Sequence, residues 1–127
     1  MPPTPWLVLA AVEPDREYLV QLSYLPLAGF RKLPAFFRYV QAIRGQLQRT
    51  EGAVGYSLLA HVLRLQFWTL SAWQDRNALN AFVRADPHRR AMSALRGHMG
   101  ATRFIEWRVR GAELTPRWPE AMGRFKS

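Results

Sequence analysis

His88 stands in the segment ADPHRRAM, one residue after an Asp-Pro pair and directly before Arg89 and Arg90. Asp86-Pro87 reads as a helix cap followed by proline in the first turn, which makes His88 the second or third residue of a helix. There the positive end of the helix dipole and the two adjacent guanidiniums disfavour an imidazolium, so the ring is expected to be neutral near pH ~7. A neutral imidazole can take up a proton, hydrogen-bond a phenol or hydroxyquinone, or ligate a metal. A lone capping or exposed histidine with no such role fits the same pattern. His61, beside a turn, and His98, near a helix end, read as surface positions.

Few other residues suggest chemistry. The absence of cysteine excludes disulfides, thiolate metal sites and a cysteine nucleophile. The sequence has no glycine-rich phosphate loop, no pair of histidines at helical spacing with a carboxylate, and no serine in an elbow motif, so no metal site is expected. Trp68 and Trp73 are five residues apart; in a regular strand they point to opposite faces and cannot form one aromatic box. Each reads first as core, since a tryptophan brings a large apolar area and needs one partner for its N–H.

The elements that must position these residues can be read in order. EYLVQLSYLPL, 17 to 27, alternates with period two and reads as a strand ended by Pro26 and Gly29. From Lys32 to Thr50, Phe36, Val40, Ile43 and Leu47 fall on one helical stripe, with Pro34 in the first turn. Strands at about 54 to 61 and 63 to 73 follow as a hairpin, with Gly52 and Gly55 turning the chain into the first of them. Asp75 is placed to cap a helix carrying Ala78, Leu79, Phe82 and Val83. A second short helix after Asp86-Pro87 carries Met92, Leu95 and Met99, ending at Gly97 or Gly100. TRFIEWRVR, 102 to 110, alternates as a fourth strand, and 111 to 127 reads as an irregular tail anchored by Trp118.

The order β-α-β-β-α-β predicts a single α+β domain over 1 to 127, with a ferredoxin-like core at about 16 to 110: one antiparallel sheet with helices on one face. Both faces of that sheet are apolar. The first strand has Tyr18, Val20, Leu22 and Tyr24 on one side and Leu19 and Leu25 on the other; the third likewise divides Leu63, Leu65 and Phe67 from Trp68, Leu70 and Ala72. Helices on one face leave the other needing a cover. A two-fold homodimer would provide it, two sheets forming a barrel; the N-terminal segment and the Trp118 tail are the alternative.

Eighteen basic residues, sixteen of them arginine, against nine acidic ones give a net charge of +9. The arginines are dispersed except for Arg84, Arg89, Arg90 and Arg96, which leaves open a solvated surface, a nucleic-acid face or an anion site. No run approaches the ~20 apolar residues of a membrane span, and the N-terminal stretch lacks a basic signal-peptide start, so a cytoplasmic protein with no membrane partner is expected.

The run FWTLSAWQDRNALNAFVRADPHRRAM, preceded by a helix and GAVGYSLL, resembles the dimeric α+β barrel proteins of the antibiotic biosynthesis monooxygenase type over residues 16 to 110. The resemblance implies a ligand pocket between sheet and helices in each protomer, with Trp73 ending a strand beneath the following helix. On it, His88 is the candidate catalytic base. Trp68, Phe82, Phe36 and Met92 are candidate walls of a pocket for a small apolar aromatic ligand, and Arg89 a candidate anion contact. The heme-degrading branch of the family carries a tryptophan and a heme-ligating histidine where this sequence has Phe82 and Met92. The departure counts against heme unless His88 substitutes, and no cofactor is expected.

Two functional readings follow. One is a cofactor-independent monooxygenase-like enzyme acting on a polycyclic or quinol-type substrate. The other is a non-catalytic ligand-binding or structural dimer, with a basic surface open to nucleic acid.

Overall fold

The structure, a computed structural model, describes residues 2 to 127. Its strands are β1 (Leu7–Val8), β2 (Glu17–Tyr24), β3 (Ala53–His61), β4 (Gln66–Trp73) and β5 (Arg103–Arg110). Its helices are α1 (Leu33–Arg49), α2 (Arg76–Arg84), α3 (His88–Leu95) and α4 (Trp118–Lys126). The strands form one antiparallel sheet in the order β1-β3-β4-β2-β5, so the predicted α+β, ferredoxin-like arrangement is present with β1 added at one edge. Among the described residues, no helix is long and apolar enough to cross a membrane.

The strand pleat divides the core. Leu19, Tyr56 and Trp73 meet Leu47 of α1 and Leu79 and Phe82 of α2 on one face. Toward the far end of that face, Phe67 packs with Phe36 of α1 and Leu95 of α3. Asp75 caps α2 as its position predicts, accepting a hydrogen bond from the Ala78 N–H at 2.9 Å. Gly52 makes the sharp entry to β3 at φ 90°, and a Cβ there would lie 2.5 Å from the Ala78 methyl.

The opposite face differs from expectation. The 111 to 127 stretch is not an irregular tail: it contains α4, which lays Trp118, Ala121, Met122 and Phe125 over Tyr18, Val20, Leu22, Val54, Trp68 and Leu70. Pro119 in the first helical turn costs no hydrogen bond there, and the Trp118 indole N–H donates to Ser57 Oγ at 2.9 Å. The N-terminal segment completes the cover, with Trp6 against Gly55, where a Cβ would fall 2.5 Å from the indole. The face assigned by sequence to a second copy is therefore closed by the chain itself, and the apolar patterning no longer argues for a dimer.

Candidate functional site

Between α1, α2 and α3 and the sheet lies a cavity of about 310 Å³, at the low end of the ~300–1,000 Å³ of ligand pockets. Phe36, Phe82 and Met92, three of the predicted walls, line it, and so does His88. Its floor is β2 and β4. Their inward alternation brings Leu19, Gln21 and Ser23 alongside Thr69, Ser71 and Trp73, so a polar strip crosses a chamber whose other walls are apolar apart from Tyr39, Arg44 and His88. Ser71 accepts the Trp73 indole N–H at 2.9 Å.

His88 is the first residue of α3, half-buried, with its ring centroid 5.1 Å from that of Phe82. Its Nδ1 lies 3.2 Å from the Val83 carbonyl oxygen. A carbonyl only accepts, so that contact places the proton on Nδ1 and leaves Nε2 as a bare acceptor. Burial pushes the imidazole below its usual range, while the hydrogen bond to Val83 opposes the shift. The ring is thus neutral for a reason the sequence did not supply: desolvation in the cavity wall. Asp86 does not cap α3. The N-cap is Pro87, without a side-chain bond, and the Asp86 carboxylate instead lies 3.7 Å from both Arg89 and Arg90.

A residue overlooked in the sequence holds this corner together. Gln46 of α1 is 6% exposed. Its Oε1 accepts the His88 backbone N–H at 2.9 Å, and its Nε2 donates to the Phe82 carbonyl at 3.1 Å and the Ala85 carbonyl at 3.4 Å. One carboxamide thereby ties the end of α2 to the start of α3. Its signal was present: Gln46 sits three residues after Ile43 and one before Leu47, a polar group beside the inward stripe.

Two predicted contacts are corrected. Trp68 borders the cavity as a strand residue, but the pleat turns its indole to the α4 face, where it packs with Tyr24 and Phe125 and its N–H has no partner. Arg89 does not line the cavity; it belongs to an adjoining open groove with Arg84, Arg90 and Arg96. His61 and His98 are exposed, as predicted, although the His61 ring lies 5.1 Å from that of Trp68. Among the described residues no three His, Cys, Asp or Glu side chains gather as a metal site.

No protein-family model and no curated protein matches the chain. Solved structures do, and several antibiotic biosynthesis monooxygenase-type proteins among them share its ferredoxin-like α+β fold. A Nitrosomonas europaea protein provisionally assigned to those monooxygenases superposes with a TM-score of 0.62 at 15% identity, covering 70% of this chain and 95% of its own. SnoaB, a cofactor-independent oxygenase from Streptomyces nogalater, gives 0.60 at 16%, covering 80% and 99%. A Lactobacillus acidophilus NCFM protein provisionally described as a monooxygenase gives 0.66 at 8%; it covers 84% of this chain, which spans about half (49%) of that longer one. At these identities the likeness is one of fold.

Proposed function

We propose that the protein is a cofactor-independent monooxygenase-like enzyme that binds a small aromatic, quinol-type molecule in the cavity beneath α1, α2 and α3. The observation that carries this reading is His88: a half-buried imidazole on the cavity wall, its proton held at Nδ1 by Val83, leaving Nε2 to accept one. Removing a hydroxyl proton from an electron-rich phenol or enol gives an anion able to reduce oxygen directly. One oxygen atom enters the ring carbon, the other leaves as water, and the substrate supplies all the electrons, so no external reductant is required. The apolar walls suit such a ring and exclude competing water. SnoaB, which shares the fold, is a cofactor-independent oxygenase, and that description supports the reading.

Anthrone is a suitable probe, because its oxidation to anthraquinone consumes one O₂ and releases one water. The full chain should accelerate oxygen uptake and anthraquinone formation, and His88→Ala should lose that acceleration while keeping its fold. An unchanged rate in His88→Ala would remove His88 from the mechanism.

A second reading, a basic surface for nucleic acid, is favoured by one feature: the groove of Arg84, Arg89, Arg90 and Arg96, offset by Asp86. It requires salt-dependent retention of DNA that weakens when Arg89 and Arg90 are both changed; no retention at low salt rejects it.

A further inference from the structure

Gln21 and Ser23 of β2 face the cavity two residues apart, with Glu106 paired across from Gln21 on β5. Neither Glu106 nor Arg76 lines the cavity, yet the two begin a hydrogen-bond relay that enters it. Arg76 Nη1 donates to Glu106 Oε2 at 2.9 Å, and Nη2 donates to Oε1. Gln21 Nε2 donates to the same carboxylate at 3.0 Å, and Ser23 Oγ donates to Gln21 Oε1 at 3.1 Å.

The direction of this relay is fixed at its outer end. A guanidinium can only donate and a carboxylate can only accept, so Glu106 must be met by donors. Gln21 therefore turns its amide nitrogen outward and its oxygen toward Ser23. That oxygen takes the one proton the serine has. The Arg76 hydrogen bond holds the Glu106 carboxyl below the usual carboxylate range, so the acceptor end persists at neutral pH.

We propose that Glu106 and Arg76 are positioning residues that make Ser23 Oγ a hydrogen-bond acceptor on the cavity floor, selecting a ligand that presents a hydroxyl there over its ketone or ether counterpart. The inference rests on the cavity being a ligand site, and it specifies which form of the ligand that site prefers: the phenol or enol. Thr69, directly opposite Ser23 in β4, has a hydroxyl free to turn either way, so the bias belongs to Ser23 rather than to the floor as a whole.

The probes are 2-naphthol and 2-methoxynaphthalene, which differ at one oxygen by a donated proton. Calorimetric titration of the full chain near neutral pH should give 2-naphthol the tighter binding by about tenfold, the scale of one well-placed hydrogen bond. Ser23→Ala should lower that ratio severalfold, leaving only the part that the His88 Nε2 acceptor on the cavity wall supplies. Glu106→Gln should do the same while both probes still bind, because the Gln21 amide can then reverse and free the serine proton to point inward. Thr69→Val should keep the preference. Equal affinity of the two probes for the wild type, or an undiminished preference in Ser23→Ala or in Glu106→Gln, would overturn the relay and leave the cavity reading standing. Binding of neither probe to the wild type would remove the cavity reading and the relay with it.

Discussion

Replacing Gln46 by methionine, which has similar length and no hydrogen-bonding amide, isolates the polar clamp between α2 and α3. The change leaves the His88 backbone N–H, now bonded at 2.9 Å, without a partner in a part of the chain that water reaches poorly, while the Phe82 carbonyl, bonded to Gln46 at 3.1 Å, keeps the Ala85 N–H at 3.2 Å. Leaving such a group unsatisfied costs about 1–3 kcal/mol. The third bond, to Ala85 at 3.4 Å, lies at the limit of the range and adds little. One orphaned group, together with the weakened tie to Phe82, gives an expected loss of about 1–3 kcal/mol by urea denaturation, or roughly 3–12 °C in Tm for a domain of this size. A second readout distinguishes this from general weakening. If Gln46 holds His88 against the cavity wall, freeing α3 rehydrates the imidazole, and the His88 pKa followed by NMR should rise from its depressed value toward ~6.5. A Gln46→Met protein within about 0.5 kcal/mol of the wild type, with an unmoved His88 titration, would refute the clamp.

The depressed His88 pKa also sets a pH dependence. The unfolded chain binds a proton near ~6.5 where the folded one does not, so this contribution to stability is fully present above ~6.5 and is lost as pH falls toward the lower folded value. His88→Gln should flatten that slope in denaturation midpoints measured across the window. Phe125→Arg, which sets a charge into the α4 contact with Tyr24 and Trp68, should loosen α4 and produce concentration-dependent association in light scattering, because it uncovers an apolar sheet face. An unchanged mass distribution in a demonstrably destabilised protein would count against that face being adhesive. Asp75→Ala removes the α2 cap and should cost about 1 kcal/mol in chemical denaturation.

Much of the fold was legible because each core element had one dominant period. The strand at Glu17–Tyr24, the stripe through Phe36, Val40, Ile43 and Leu47, and the Asp75 cap each announced an element that then formed. The tail was illegible for a physical reason: WPEAMGRFK has four apolar positions for one helical face but contains both proline and glycine, and only docking against Val20, Leu22 and Trp68 compensates for that weak propensity. The site was half legible. His88 and the apolar walls could be named from residue type, but Trp68 could not be assigned to a face before the register Tyr24↔Trp68 fixed it. Gln21 and Ser23 were visible as the polar interruptions between Leu19 and Leu25, yet their meaning depends on Glu106, 85 residues from Gln21 in sequence and its hydrogen-bond partner only through β5 pairing.

The two faces of the sheet connect these findings. A two-sided apolar sheet in a chain this short presents a choice between association and self-cover, and strand patterning cannot distinguish them because both bury the same residues. The decisive information lies outside the β-α-β-β-α-β unit. The Nitrosomonas europaea protein is matched over 95% of its length by only 70% of this chain, so about three-tenths of this chain has no counterpart in it. Outside the core lie the N-terminal segment with β1 and the C-terminal segment with α4, both on or beside the face that the helices α1 to α3 leave open. Sealing that face within one chain has a consequence for the cavity on the other side. β2 is anchored from beneath by Tyr18, Val20 and Leu22, so the alternate residues Gln21 and Ser23 are presented upward from a strand that is packed on both sides. A donor–acceptor relay that discriminates by one proton needs such a floor, since a shift of a few tenths of an ångström in β2 would let the Gln21 amide find another partner.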